Sequence, residues 1–263
     1  MGKWKPGVSF QIVLHQPIKV NTVADVIPAE AVVWDINLQH VVDYDNIIPN
    51  LKSAGNIVIC YFNGGSVQDW DEDLDAFPVG VIGLPLNPPY TDKRYLGVRD
   101  ARVVNLIKRR PERAADIGCD GVDPDNIDAW AELTTASSRP LFLSQKNAPT
   151  IAPQLSFVAD FAVLETRLCT RTSDVVEPFC ADFQPYVEAG KPVFQIEYPT
   201  SVRDDTDIDQ ADYDLFCVDK NGNEGFSEVL KHASEQVDGW GQFCGLGRTG
   251  GRFETPIVDE DEG

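Results

Sequence analysis

Short apolar runs alternate with longer amphipathic segments along the chain. Eight runs are rich in Val, Ile and Phe and are almost continuously apolar, which is typical of strands covered on both faces. They are residues 9–14, 31–36, 56–62, 121–124, 140–144, 159–165, 192–198 and 214–219. The segments between them have helical spacing, which predicts β/α units around a parallel sheet. Eight units in 263 residues predict an α/β fold of the (β/α)8 TIM barrel type.

Glycines mark the ends of two predicted helices. Residues 44–54 lead to Gly55 and residues 98–117 lead to Gly118, and glycine commonly follows the last helical residue. The connection after the third strand, residues 63–97, is long and rich in Pro and Gly, and residues 77–86 within it predict an extra strand. Loops at this end of a barrel build the active site, so we expect the insertion to line it.

The pattern predicts a single domain over residues 1–258, followed by an acidic tail at 259–263. Such a domain can bury its core without a metal or a second subunit, so a monomer is expected. The apolar runs are far shorter than the ~20 residues that span a bilayer, so no transmembrane segment is expected. Residues 1–6 lead into no apolar signal core, and an extracellular location is therefore inferred indirectly.

The excess of acidic over basic side chains limits which kinds of molecule the protein is expected to bind. Forty-two acidic and 22 basic side chains give a net charge of −20, which repels nucleic acid and anionic lipid. Nucleic acid is therefore not expected as a partner, whereas a cationic ligand would be attracted. Solubility alone also explains an acidic surface, so charge does not identify the ligand.

Six cysteines, an even number without a CxxC spacing, indicate an oxidising compartment rather than a zinc site. Three pairs are considered: Cys169 with Cys180, Cys217 with Cys244, and Cys60 with Cys119. The first would close a short loop and the second would tie down the C-terminal segment. The third pair lies on neighbouring predicted strands and either forms a bond or remains as buried thiols.

Polar side chains, mostly carboxylates, stand at the C-terminal ends of the predicted strands, where barrel active sites lie. They are Asp35, Tyr61, Asp123, Asp125, Asn126, Lys146, Asn147, Glu165 and Glu197. Any one of them alone is explained by a helix cap or a loop ion pair. Together they converge on one mouth, where we expect them, with Tyr198 and Trp70, to contact the substrate. Crowded charges there separate a protonated acid from an ionised base. Glycoside hydrolysis uses two such carboxyl groups.

The sequence offers few of the residues that metal-dependent, Ser-His-Asp or phosphate-binding sites require. The three histidines, His15, His40 and His232, have no metal-ligand spacing and make a Ser-His-Asp triad improbable. The Asn-Gly-Gly-Ser turn at 63–66 lacks the Lys and the spacing of a P-loop, and no metal or cofactor is expected. Aromatic residues near the predicted mouth either stack on sugar rings or simply pack: Tyr61, Trp70, Tyr90, Trp130 and Tyr198.

The segment 118–128, GCDGVDPDNID, resembles glycoside hydrolase family 114, the endo-α-1,4-polygalactosaminidases. Segments 58–66, 159–165 and 189–198 agree with it in order. The resemblance implies a barrel that cleaves α-1,4-linked galactosamine in a cationic, partly deacetylated exopolysaccharide. It implies Asp123 and Glu165 as the catalytic carboxylates, which we assign as nucleophile and acid/base in that order, and it places Lys146 beside the nucleophile. We expect Asp123 and Glu165 to lie within about 10 Å of each other.

The chain departs from the family pattern near Trp70, where Gln68 and Asp71 replace a Glu and an Arg, and at Leu164, where an Asn is usual. These positions shape subsites rather than supply the two carboxylates. Two alternatives therefore stay open: a non-catalytic carbohydrate-binding barrel, and a hydrolase for a different amino-sugar glycan. A polysaccharide is the expected partner in each case.

Overall fold

The computed structural model describes residues 4–88, 90–126, 141–165, 180–203, 207–218 and 222–258. Its strands are β1 (Phe10–Val13), β2 (Val33–Asn37), β3 (Ile57–Asn63), β4 (Ser66–Gln68), β5 (Ile82–Pro85), β6 (Lys93–Leu96), β7 (Gly121–Asp125), β8 (Phe142–Lys146), β9 (Phe161–Glu165), β10 (Val193–Glu197), β11 (Ser227–Leu230), β12 (Trp240–Phe243) and β13 (Arg252–Glu254). Its α-helices are α1 (Leu38–Val42), α2 (Ile47–Ser53), α3 (Ala101–Ile107), α4 (Arg109–Ile117), α5 (Ala152–Leu155), α6 (Gln184–Glu188) and α7 (Gln210–Tyr213).

Eight strands form a parallel sheet in the order β1-β2-β3-β7-β8-β9-β10-β11, and β12 and β13 extend it in antiparallel fashion. Helices lie between most of the successive parallel strands. The predicted fold class, a TIM-like α/β fold, is confirmed. All eight parallel strands therefore present their C-terminal ends at one side of the sheet.

The sheet curls so that its first strand approaches its last parallel strand. The buried Gln11 side chain in β1 donates to the Gly239 carbonyl at 3.1 Å and to Thr255 Oγ1 at 2.8 Å. Gln11 also accepts a hydrogen bond of 3.0 Å from Nζ of Lys231, the residue that follows β11. These buried hydrogen bonds join the two ends of the curled sheet.

The connection after β3 carries its own three-stranded antiparallel sheet, in the order β4-β6-β5. The extra strand predicted within residues 77–86 is β5. Gly65 brings this sheet against the loop after β7, because a Cβ there would lie 2.1 Å from the carbonyl oxygen of Asn126. A glycine is thus required where the insertion meets the main sheet.

The predicted eighth strand, residues 214–219, is wrong. Residues Asp214–Val218 form a π-helical turn that continues α7, and the eighth parallel strand is β11. The Asp209 side chain caps α7 by accepting from the Asp212 backbone N–H. Tyr213 and Phe216, three residues apart, are both buried in one apolar cluster, which is helical rather than strand spacing.

The helix predicted over residues 98–117 is two helices, α3 and α4, which meet at Lys108. Pro111 in the first turn of α4 explains the break, since its ring would clash with the Ile107 carbonyl in a continuous helix. The predicted end at Gly118 is correct, because Gly118 adopts a left-handed conformation with φ of 100°.

Disulfides join Cys60 to Cys119 and Cys217 to Cys244. The first bond decides between the two alternatives left open for that pair. Cys180 is also disulfide-bonded, whereas its predicted partner Cys169 lies outside the described residues, as do Trp130 and the tail at 259–263. Across the described ranges, every helix is too short or too polar to cross a membrane.

Candidate active site

A cleft of about 850 Å³ opens at the C-terminal ends of the parallel strands. Strand ends, the insertion and the loop after β11 all contribute to it. It is lined by Leu14, His15, Asn37, His40, Tyr61, Gln68, Trp70, Leu86, Tyr90, Asp92, Lys93, Asp125, Asn126, Asn147, Glu165, Ser234, Glu235, Gln236 and Val237. The insertion lines the cleft, as the sequence predicts.

Alternation along the strands decides which side chains face the cleft. An apolar layer that includes Val33, Ile59 and Phe161 fills the inner side of the curled sheet. Two residues further along their strands, Asp35 and Tyr61 lie on the same face as Val33 and Ile59. A layer of buried apolar side chains therefore lies directly beneath the polar groups.

Lys146, which is buried, lies between the two predicted catalytic carboxylates. Its Nζ is 3.3 Å from Asp123 Oδ2 and 3.4 Å from Glu165 Oε2. Those two oxygens are therefore no more than about 7 Å apart, which is within the expected limit. Burial alone would lower the pKa of Lys146, but the surrounding carboxylates, above all Asp123, raise it well above its usual value. Lys146 therefore stays charged.

Asp123 is completely buried, with no exposed surface. Its Oδ1 accepts a hydrogen bond from the Ser144 hydroxyl and its Oδ2 accepts one from Lys146. Burial raises the pKa of Asp123, and the neighbouring Lys146 and Ser144 offset part of that rise. Asp123 is absent from the residues that line the cleft.

Glu165 lines the cleft, with its side chain 18% exposed. The Tyr198 hydroxyl donates to its Oε1 at 2.5 Å, and the Glu165 backbone N–H donates to Asn147 Oδ1 at 2.9 Å. Burial raises the pKa of Tyr198 well above its ordinary value, and Glu165 raises it further. The phenol therefore remains a hydrogen-bond donor to Glu165 over the physiological pH range.

Asp125 lies two residues beyond Asp123 on β7, on the same face and nearer the mouth, and it lines the cleft. The Tyr61 hydroxyl donates to Asp125 Oδ2 at 2.8 Å. Burial raises the pKa of Tyr61 well above its ordinary value, so this donor too stays protonated. Asn126 follows in a left-handed conformation, φ 58°, and its amide donates to Ser66 Oγ at 3.1 Å.

Aromatic side chains form the rim. Trp70 is 47% exposed and stacks on His40, with ring centroids 5.7 Å apart. Burial lowers the pKa of His40 to about 4, and His15 contributes to that shift. Tyr90 lies opposite Lys93, whose Nζ is 5.2 Å from the ring centroid. Burial and then Glu165 raise the pKa of Tyr90 to about 12, so the rim offers neutral rings at neutral pH.

Not every predicted site residue faces the cleft. Glu197, the last residue of β10, is buried and accepts a 2.7 Å hydrogen bond from Gln195, and by alternation it points to the opposite side of the sheet from Tyr198, which follows it. The prediction that Glu197 contacts substrate is therefore not supported by its position. Asp35 is buried beneath the cleft rather than lining it.

Sequence reasoning missed Glu235 and Asp92, two carboxylates that line the cleft. Glu235 adopts a left-handed backbone conformation, φ 61°, which is uncommon for a residue other than glycine. It lies in the loop after β11, so misplacing the eighth strand hid it. Asp92 accepts a 2.9 Å hydrogen bond from Gln68, one of the residues that departs from the family pattern.

Comparisons with known proteins identify the family and the fold. The family model for glycoside-hydrolase family GH114 matches residues 1–249. The crystal structure of Aspergillus fumigatus Ega3 in complex with galactosamine is similar at 27% identity and a TM-score of 0.77, covering 92% of this chain and 97% of that one. The glycoside hydrolase domain of PelA from Pseudomonas aeruginosa shares the fold, at 13% identity and a TM-score of 0.62, over 87% of this chain and 96% of that domain.

No curated protein sequence matches the chain significantly. The family match nevertheless spans nearly the whole chain, and the structural match to Ega3 also covers most of it. The chain belongs to glycoside-hydrolase family GH114.

Proposed function

We propose that this family GH114 hydrolase cleaves α-1,4-linked galactosamine in a cationic, partly deacetylated exopolysaccharide. We propose that it cuts at internal bonds of the polysaccharide rather than at its ends. The observation that carries the proposal is one cleft lined by Asp125 and Glu165, each held by a tyrosine hydroxyl. The galactosamine bound to Ega3, at 27% identity, supports an amino-sugar substrate. The bonded cysteines favour an oxidising, extracellular location.

Glu165 is proposed as the acid/base. It lines the cleft, where it can reach a glycosidic oxygen, protonate the leaving group and later remove a proton from water. Tyr198 and Asn147 fix its position through the carboxylate and the backbone N–H. Lys146, 3.4 Å from its other oxygen, stabilises negative charge on Glu165 after proton transfer.

The nucleophile is proposed to come from β7. The family resemblance implies Asp123, but Asp123 has no exposed surface, whereas Asp125 lines the cleft. A nucleophile must touch the anomeric carbon, so we favour Asp125 in that role and place Asp123 beneath it as the partner of Lys146. Attack by Asp125 would form a glycosyl ester, which water then hydrolyses.

The experiment measures release of reducing ends from a galactosamine-rich polymer. Glu165→Gln and Asp125→Asn are expected to lower kcat by about a thousandfold or more while the thermal melting temperature stays within a few degrees. Polymer binding without any reducing-end release by the wild type would indicate the non-catalytic alternative. Release from a different amino-sugar glycan alone would refute the galactosamine specificity.

Azide distinguishes the two aspartates. In Asp125→Ala, azide has room to attack the anomeric carbon, so added azide is expected to restore turnover and yield a glycosyl azide. In Asp123→Ala the nucleophile would remain in place, and azide is expected to change nothing. Rescue of Asp123→Ala but not of Asp125→Ala would return the nucleophile to Asp123.

Glu235 is proposed to recognise the ammonium group of the sugar. Glu235 lines the cleft and is close enough to Tyr90 and Tyr198 for its charge to raise the pKa of both phenols. Glu235→Gln is expected to lower kcat/KM on galactosamine oligomers about tenfold or more and to leave N-acetylated oligomers nearly unchanged. Glu188→Gln, an exposed position on α6, serves as the matched control. Equal losses on both oligomers would refute the role.

A further inference from the structure

A second carboxyl group lies against Asp123 beneath the cleft. Asp35 in β2 is 3% exposed, and a hydrogen bond between the Asp35 and Asp123 side chains is one of the causes that raise the pKa of Asp35. Two ionised carboxylates cannot hydrogen-bond to each other, because neither carries a proton to donate. One of the two must therefore be protonated when they are in contact.

The other contacts decide which aspartate holds the proton. Asp123 already accepts hydrogen bonds from the Lys146 ammonium and the Ser144 hydroxyl, both of which favour its charged form. Asp35 Oδ1 has no hydrogen-bond partner among the described residues. A buried anion would need such partners, whereas a neutral acid tolerates a bare carbonyl oxygen better.

The titration of Asp35 agrees with this assignment. Burial raises the pKa of Asp35 well above its ordinary value, Asp123 and Glu165 raise it further, and Lys146 lowers it only in part. These three ionisable side chains belong to β7, β9 and β8 in turn. An uncharged Asp35 leaves Asp123 as the anion that pairs with Lys146.

We propose that Asp35 is a positioning residue that acts as a neutral hydrogen-bond donor to Asp123, and so fixes the buried Asp123–Lys146 pair that holds the ammonium beside Glu165. This role differs from the substrate contact that the sequence predicts for Asp35. The kinetic test of this role rests on the proposed function, whereas the infrared test does not.

Two variants of similar shape separate donation from charge. Asp35→Asn keeps a donor and no charge, as the proposal requires, and its kcat is expected to stay within about threefold of wild type. Asp35→Leu keeps the volume without a donor, and its kcat is expected to fall about tenfold or more with little change in KM. Asp35→Ala is a second variant without a donor, should the Leu variant fail to fold.

The pH profile and the infrared spectrum provide independent readouts. If Asp35 were ionised, Asp35→Asn would remove a negative charge beside the cleft and shift the pH profile of kcat/KM by about one unit or more. We expect no such shift. The wild type should also show the carbonyl band of a buried neutral carboxylic acid at about pH 7, and Asp35→Asn should lose it.

An equal loss of activity in Asp35→Asn and Asp35→Leu would overturn the proposal. So would infrared spectra in which the wild type and Asp35→Asn show the same carboxylic acid bands. Full activity of Asp35→Leu would also overturn it, because no donor would then be needed. A wild type inactive on every glycan would defeat the proposed function alone, since the infrared band still reports whether Asp35 is protonated.

Discussion

Replacing Lys146 with Met tests the electrostatic reasoning most directly. The ammonium lies 3.3 Å from one carboxylate and 3.4 Å from another, and its side chain is 1% exposed. At an effective dielectric constant of about 20, each contact is worth about 5 kcal/mol of attraction, most of which offsets the cost of burial. Met fills a similar volume but leaves Asp123 without its counterion. Breaking a buried pair in this way costs about 3–5 kcal/mol of stability at neutral pH.

The loss should depend on pH in a defined direction. Lys146 lowers the pKa of Asp123, which burial raises, so in Lys146→Met the folded-state value lies further above the unfolded one. The folded variant then binds a proton more readily than the unfolded chain, and its stability increases as the pH falls through that range. The deficit relative to wild type is therefore largest near neutral pH and smaller near pH ~4.

The assay is urea unfolding of both proteins at about pH 7.5 and about pH 4.5. Lys52→Met is the matched control, because Lys52 pairs with Asp120 at a shorter distance, 2.8 Å, but with side chains 43% and 29% exposed. It is expected to cost less than about 1 kcal/mol. A Lys146→Met deficit no larger than that of Lys52→Met, or one equal at both pH values, would refute the reasoning.

Three further outcomes are expected. Gly65→Ala should lower kcat/KM about tenfold or more and destabilise the fold by about 1–3 kcal/mol, because the new Cβ would lie 2.1 Å from the Asn126 carbonyl oxygen in the cleft wall. Steady-state kinetics measures the first effect and thermal melting the second. Replacing Cys60 and Cys119 together with Ala should cost about 4 kcal/mol in denaturant unfolding, because their bond closes a loop with a sequence separation of 59. Lys231→Met should cost roughly 3 kcal/mol near pH 7 by leaving buried acceptors unpaired. Burial lowers the pKa of Lys231 to about 7 in the folded state, so above that pH the folded wild type binds fewer protons than the unfolded chain and becomes more stable as the pH rises. The stability difference between wild type and Lys231→Met should therefore be larger at about pH 9 in the same unfolding assay.

Seven of the eight parallel strands could be predicted because strands buried on both faces are continuously apolar. The eighth could not, since β11 is only four residues long and contains Glu228, whereas residues 214–218 are more apolar but helical. Short apolar runs suit either a strand or a helix, and in the fold this run is helical, with Tyr213 and Phe216 buried in one cluster. This error also concealed Glu235 in the loop that follows β11.

Which strand ends meet is a property of topology, and the sequence therefore predicted Asp123, Lys146 and Glu165 together. Which way each side chain points follows from alternation, and that signal was available: Glu197 and Tyr198 are adjacent, so only one of them can face the cleft. The hydrogen bond from Tyr198 to Glu165 places Tyr198 on the cleft side of the sheet, where it is buried behind Glu165 rather than lining the cleft.

Depth along a strand is what separates the three aspartates, and spacing alone does not reveal it. Asp123 and Asp125 share a face of β7, yet one is sealed beside Lys146 and the other borders the cleft. At the lower level Asp123 pairs with the buried Lys146 and has no exposed surface, whereas at the upper level Asp125 lines the cleft and accepts a hydrogen bond from Tyr61. The acidic motif of β7 is therefore best understood as two layers, in which the lower carboxylate, with Asp35 and Lys146, sets the position and charge of the groups above it.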